Sequence, residues 1–209
     1  MRVPSFPGWI FVLSVLSLLF LQSPLYLIIV VAGVAVFLLE NQRTAQDQFG
    51  LTRLSAWNLF KWSLLICGAV IFVEVPLTKL VDIAMTAIHL PHPDQQSVVV
   101  FRQFQKASQI GAFLLQAVII APIIEELFFR GFLLTFLKNY TSTWLALVLS
   151  AGVFAFAHAN LGSAIQLWFL GIALGLAYEH TGSLLLPIGV HACFNFTTAL
   201  SILLERGAS

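Results

Sequence analysis

Two adjacent glutamates, Glu125 and Glu126, lie in an apolar stretch of the chain together with Arg130. On an α-helix, Glu126 and Arg130 are four residues apart and share a face, so their side chains can form an ion pair. Glu125 is rotated by about 100° from Glu126 and has no such partner. The pattern therefore predicts that Arg130 keeps Glu126 ionised, while Glu125, in an apolar setting, can serve as a general base.

Two later segments add histidines to these carboxylates. His158 follows a run that begins at Tyr140 and contains no Asp, Glu, Lys or Arg, and His191 and Asn195 are four residues apart on the last apolar segment. A carboxylate and a histidine can activate a water molecule, and a second histidine with an asparagine can donate hydrogen bonds to an oxyanion. Together these residues have the chemistry needed to hydrolyse an amide.

Each group also has a purely structural interpretation, which the sequence leaves open. The two glutamates and Arg130 could form an ion network at a helix end, and His158 could cap a helix near the membrane interface. The polar pair on the last segment could form hydrogen bonds between helices. Pro122, three residues before Glu125, predicts a kink that leaves the carbonyl of Val118 without a donor, and kinks at such depth often accompany cavities.

The composition decides the class of fold. Hydrophobic residues make up 59% of the 209 residues and charged residues only 9%, and the mean hydropathy is +0.95. Soluble domains have roughly a quarter of their residues charged, so the sequence predicts an integral, multi-pass membrane protein. The net charge of +1 suggests no nucleic-acid partner. Cys67 and Cys193 lie in apolar stretches and are interpreted as small apolar fillers.

Helices of about 20 apolar residues are needed to cross a bilayer, and the chain has room for about seven. The predicted fold is therefore an all-α, polytopic transmembrane helical bundle. The first predicted segment is a hairpin of two short helices within Phe6–Leu39, with one long tilted helix as the alternative. The others are a span over Trp57–Val75, an interfacial helix over Leu77–Leu90, a span around the two glutamates, two spans within Asn139–Tyr178 and a last span over Leu184–Leu204. Residues 1–106 are assigned to N-terminal membrane segments and an interfacial region, and residues 107–209 to a catalytic helical core within one integrated membrane domain.

Three short motifs resemble those of a known family, and they occur in its order. They are Glu125-Glu126-x-x-x-Arg130, Phe154-x-x-x-His158 and His191-x-x-x-Asn195. They resemble the motifs of the CPBP family, which includes type II CAAX-prenyl endopeptidases and bacterial abortive-infection-like membrane proteins. The resemblance covers roughly residues 108–204.

The resemblance implies a glutamic intramembrane endopeptidase that uses no cofactor. Glu125 with His158 would activate the attacking water, and His191 with Asn195 would stabilise the oxyanion, while the ion-paired glutamate and Arg130 would position the site. The implied partners are a membrane-anchored protein or peptide substrate and the lipid bilayer. The implied location is the bacterial plasma membrane.

Three other functions remain open at this point. Glu125, His158 and His191 could bind zinc, although the chain lacks the H-E-x-x-H motif of many metalloproteases. The chain could be a non-catalytic immunity or binding protein of the same family. It could also be a transporter that relays protons through its buried Glu and His side chains, although it shows no inverted repeat.

Overall fold

The computed structural model describes residue 50, residues 54–91 and residues 94–208. This part of the chain is helical and contains no β-strand, which confirms the predicted all-α class. Its helices are α1 (Ala56–Ala87), α2 (Gln96–Gln103), α3 (Ala107–Leu137), α4 (Thr143–Ala157), α5 (Ala164–Thr181) and α6 (Leu185–Ala208). The hairpin predicted within Phe6–Leu39 lies outside the described residues.

Among the described helices, α1, α3 and α6 are long and apolar enough to cross a membrane. The apolar helix α4 is shorter, with 15 residues. At 1.5 Å per residue it measures about 22 Å, less than the roughly 30 Å of a bilayer's hydrocarbon core. The total of about seven spans stays a prediction, because the first apolar stretch of the sequence is not among the described residues.

The predicted boundary between a span ending at Val75 and a separate helix starting at Leu77 is wrong. Helix α1 runs without a break through Pro76, and the hydroxyl of Ser55 caps its start by accepting from the N–H of Asn58 at 3.3 Å. Proline removes one N–H from a helix. Ending the helix in apolar surroundings would leave several backbone groups without partners, so continuing it costs less.

The core is formed where the second half of α3 meets its neighbours. Helix α5 packs along α4, and α6 packs along α1. The buried apolar residues of this region form one cluster, which includes Cys67, Phe128, Phe129, Leu133, Phe154, Leu170, Leu174, Leu186 and Val190. Ile124, which precedes the two glutamates on α3, packs against this cluster, so the core helps to set the position of the polar residues.

Small residues allow α1 and α6 to approach closely. A Cβ atom on Gly189 of α6 would collide with the hydroxyl of Ser63 on α1. One turn further along each helix, Cys67 is buried and Cys193 packs against the same cluster, and both are free thiols. Their positions fit the prediction that they fill space between apolar helices.

Candidate active site

The two glutamates lie between two irregular stretches of α3. The residues Leu115–Ile120 and Leu127–Leu134 are π-helical, whereas Ala121–Glu126 between them is α-helical. In a π-helix each N–H bonds to the fifth residue before it, and such stretches are rare and frequent at functional sites. The change of pitch on both sides gives the short α-helical segment its own rotation, which orients Glu125 and Glu126.

The ion pair predicted from the sequence spacing is present and fully buried. Nη1 of Arg130 lies 2.8 Å from Oε1 of Glu126, and the two side chains are 1% and 0% exposed. The other end of the guanidinium donates from Nη2 to the backbone carbonyl of Gly171 on α5, at 2.8 Å. Arg130 therefore connects the glutamate on α3 to the backbone of α5.

His191 of α6 is held by the same carboxylate. Its Nδ1 lies 2.8 Å from Oε1 of Glu126, and the side chain is 3% exposed. An ionised carboxylate can only accept hydrogen bonds, so Nδ1 of the ring donates. This arrangement fixes the ring and leaves its Nε2 facing Oε2 of Glu125, at 3.9 Å.

His158, at the end of α4, faces the same oxygen of Glu125. It ends α4, and its Nδ1 lies 2.8 Å from the carbonyl oxygen of Phe154 in the last turn of that helix. A carbonyl oxygen accepts, so Nδ1 donates and Nε2 is the free ring nitrogen. That nitrogen lies 4.0 Å from Oε2 of Glu125. His158 thus both caps its helix and faces the glutamate.

The carboxylate oxygen Oε2 of Glu125 is the point at which these groups converge. It is buried and has no hydrogen-bond partner among the described residues, while the side chain as a whole is 20% exposed. The two histidine nitrogens are each near 4 Å from it. A water molecule at about 2.8 Å from all three atoms would fit this spacing. The geometry is therefore suited to binding and deprotonating a water molecule.

The ring of Phe154 is the wall that these side chains share, and reasoning from the sequence assigned it no role. It is 0% exposed. Its centroid lies 4.9 Å from Cζ of Arg130, 4.8 Å from the ring of His158 and 5.8 Å from the ring of His191. Its position four residues before His158 is the sequence feature that could have indicated this role, since residues at this spacing share a helix face.

Asn195 has a backbone partner. Its Nδ2 donates to the carbonyl oxygen of Ala117 on α3, at 2.8 Å. The sequence predicted that Pro122 would leave the carbonyl of Val118 without a donor. The carbonyl with a substitute donor is instead that of Ala117, one residue earlier, because this stretch is π-helical and its pairing spans five residues.

No sequence pattern points to Gly171, and we predict that Gly171→Ala disturbs the site. The added Cβ would lie 2.9 Å from Cβ of Ala151 and 3.0 Å from its Cα. Helices α4 and α5 would have to separate, moving the carbonyl that holds Arg130. The expected loss is about 1–3 kcal/mol in the free energy of unfolding, measured by denaturation in detergent micelles.

Gly152→Ala is the matched control for this change. It adds the same methyl group to α4, where the nearest atom is a side-chain carbon of Trp168 at 3.9 Å. We expect it to be neutral or slightly stabilising, because alanine favours a helix over glycine. Equal losses for the two variants would contradict the role given to the close contact at Gly171.

The three residues named by the zinc hypothesis, Glu125, His158 and His191, lie close together. Within the described parts of the chain, no three His, Cys, Asp or Glu side chains form a group arranged to hold a metal ion. The three groups that the zinc hypothesis named are nevertheless the ones that converge, with two ring nitrogens facing one carboxylate oxygen.

Comparisons with known proteins point to one family. Residues 107–197 match the family model described as Rce1-like, type II CAAX prenyl endopeptidase Rce1-like. A protein from Escherichia coli named "Uncharacterized 24.3 kDa protein" is 36% identical over 83 residues, and the match covers 37% of this chain and 38% of that protein. No solved structure matches the chain. The segment 107–197, which contains all three motifs, is thus similar to the Rce1-like family of type II CAAX prenyl endopeptidases.

Proposed function

We propose that this protein is a glutamic-type intramembrane endopeptidase that hydrolyses a peptide bond of a membrane-associated protein or peptide. The observation that carries the proposal is the environment of Glu125. Its buried, unbonded Oε2 faces Nε2 of both His158 and His191, and each ring is held at its other nitrogen. This arrangement supports a water molecule as the nucleophile.

In the first step, the water bound among these groups attacks the carbonyl carbon of the substrate. Glu125 accepts one proton as the new C–O bond forms, and the lone pair on Nε2 of His158 orients the water by accepting its other hydrogen. The π bond of the carbonyl becomes the negative charge of the tetrahedral intermediate. General-base assistance of this kind contributes typically about 10²–10⁴-fold to the rate.

The intermediate's oxygen needs a hydrogen-bond donor. We propose that His191 supplies it as an imidazolium, with Nδ1 donating to Glu126 and Nε2 donating to the oxyanion. The buried carboxylate beside Nδ1 stabilises the positive charge, and Arg130 keeps that carboxylate in place. In the second step, Glu125 gives its proton to the nitrogen of the leaving amine as the C–N bond breaks, which regenerates the ionised carboxylate.

The resemblance implies that His191 and Asn195 stabilise the oxyanion together. One of the two N–H groups of the Asn195 amide donates to the carbonyl of Ala117. We assign the donation to the oxyanion to His191, because its Nε2 faces Glu125. Glu126 and Arg130 act as positioning residues, because Glu126 holds the ring of His191 and Arg130 holds the carboxylate of Glu126.

The similarity to the family and the apolar helices support a proposal for the substrate class and the location. CAAX-type proteases act on membrane-associated proteins, and three described helices are able to cross a bilayer. We propose a multi-pass protein of the bacterial plasma membrane, whose substrate is a peptide segment close to the membrane. The similar protein from Escherichia coli supports a bacterial setting.

The test compares protein termini in membranes from cells producing this protein or its Glu125→Gln variant at equal abundance. Mass spectrometry of N- and C-terminal peptides is the readout. Termini that appear only when Glu125 is present would establish proteolysis and identify the substrate. Identical termini, with the variant folded and the cellular phenotype retained, would favour a non-catalytic immunity or binding protein of the family.

Chelation separates the proposed mechanism from a zinc-dependent one. We predict that cleavage of the substrate peptide by the purified protein is unaffected by prolonged dialysis against a chelator, because here a carboxylate and not a metal-bound hydroxide activates the water. The measurement is the initial rate before dialysis, after dialysis and after zinc is added back. Loss of activity that zinc restores would assign Glu125, His158 and His191 to a metal site.

A further inference from the structure

The hydrogen bond between Asn195 and Ala117 joins a side chain of α6 to the backbone of α3. Asn195 lies one helical turn after His191, and its Nδ2 reaches the carbonyl oxygen of Ala117 at 2.8 Å. Inside a helix, a backbone carbonyl ordinarily accepts from an N–H of its own helix. The local sequence of α3 explains why this one accepts from another helix.

Ala117 has lost both of its usual donors. In an α-helix its carbonyl would accept from the N–H of Ala121, but that group donates to Gln116. In a π-helix it would accept from residue 122, which is Pro122 and has no N–H. The carbonyl therefore depends on the side chain of Asn195 at the point where the π-helical stretch gives way to the α-helical segment that carries the glutamates.

We infer that Asn195 is a positioning residue that holds the carbonyl exposed by Pro122, and so fixes the α-helical segment carrying Glu125 relative to α6. A carbonyl without a donor in apolar surroundings is costly, which makes this bond a strong constraint. Because the same face of α6 carries His191, the bond also sets the distance between that histidine and Glu125. The inference rests on the proposed function for its effect on cleavage.

The proline provides a direct test, because Pro122→Ala restores the backbone N–H that could reach Ala117. We expect Asn195→Ala alone to lower the yield of Glu125-dependent termini by about tenfold. Pro122→Ala in the same chain is expected to recover most of this loss. Pro122→Ala alone keeps the Asn195 bond and should stay near wild type. Thr198→Ala is the control for α6, since that hydroxyl is exposed and bonds only to Phe194 of its own helix.

The alternative is that activity depends on the second N–H of Asn195, which would donate to the oxyanion, and it predicts a different result for the four variants. Loss of an oxyanion donor costs about 10²–10³-fold, and Pro122→Ala could not restore it. Equal losses from Asn195→Ala in both backgrounds would therefore overturn the inference.

Thermal unfolding tests the bond between Asn195 and Ala117 independently of the proposed cleavage activity. If Glu125→Gln left all termini unchanged, the proposed function would fail, but the four variants could still be compared by thermal unfolding in detergent. A midpoint lowered by Asn195→Ala and restored by Pro122→Ala would support the bond as the constraint. Additive effects of the two substitutions would overturn it, because independent sites do not couple.

Discussion

Glu125→Gln is expected to reduce the rate of peptide cleavage on the order of 10³-fold while leaving the unfolding midpoint unchanged. Glutamine keeps the shape of the side chain but cannot accept a proton from water at Oε2. The fold should not suffer, because that oxygen makes no hydrogen bond within the described residues. The measurement is the initial rate of the purified protein on a peptide spanning the cleavage site found from the terminal peptides.

The same assay measures the contribution of His158, one of the two histidines that face Glu125. His158→Gln should lose less activity, about 10²-fold, because in the proposed mechanism His158 orients the water while Glu125 still accepts the proton. Glu179→Gln is a control for the substitution itself, since Glu179 pairs with Lys138 away from the site, at 2.5 Å. A Glu125→Gln protein that cleaved at the wild-type rate would contradict the proposed mechanism, whatever the behaviour of the other variants.

Much of the fold could be predicted because apolar length is a simple signal. The all-α class and the segments around the two glutamates and at the C-terminus follow from composition and from runs without charge. The continuity of α1 through Pro76 could not be predicted, since proline is an ambiguous signal in a membrane helix. Its outcome depends on whether neighbouring groups can replace the lost bond, which is a property of the packed structure.

The candidate site was predictable only in part, for a related reason. Spacing on one helix identified the pair of Glu126 and Arg130, because residues four apart share a face. Contacts between helices leave no such trace in the sequence. The link from Arg130 to the carbonyl of Gly171 and the shared wall formed by Phe154 therefore became visible only in the structure.

The π-helical stretches of α3 limited the prediction further. A regular α-helix rotates by about 100° per residue, but the pitch of α3 changes on both sides of the Ala121–Glu126 segment. Neighbouring residues such as Glu125 and Glu126 lie within the α-helical part, so their different directions were predicted well. Hydrogen-bond partners across a change of pitch shift by one residue, so the carbonyl that lacks a backbone donor is that of Ala117 and not that of Val118.

Arg130→Met is expected to cause the largest loss of stability, about 3–5 kcal/mol in the free energy of unfolding. Methionine fills much of the space but leaves the carboxylate of Glu126 buried, with His191 as its remaining hydrogen-bond partner. The carbonyl of Gly171 would also lose its donor. Breaking one side of a buried pair is costly because the other charge stays out of water, not because the pair itself was strongly stabilising.

The double variant Glu126→Gln/Arg130→Met tests this reasoning. It removes the uncompensated charge, so it should be more stable than Arg130→Met alone, although His191 then loses its carboxylate and cleavage stays low. Lys138→Met removes a cation from a pair whose side chains are 27% and 21% exposed, and it should cost roughly 1 kcal/mol or less. Unfolding in mixed micelles measures all three variants. If the double variant were less stable than Arg130→Met, Glu126 would stabilise the fold even without its arginine, and the positioning role given to the pair would have to pass to the carboxylate alone.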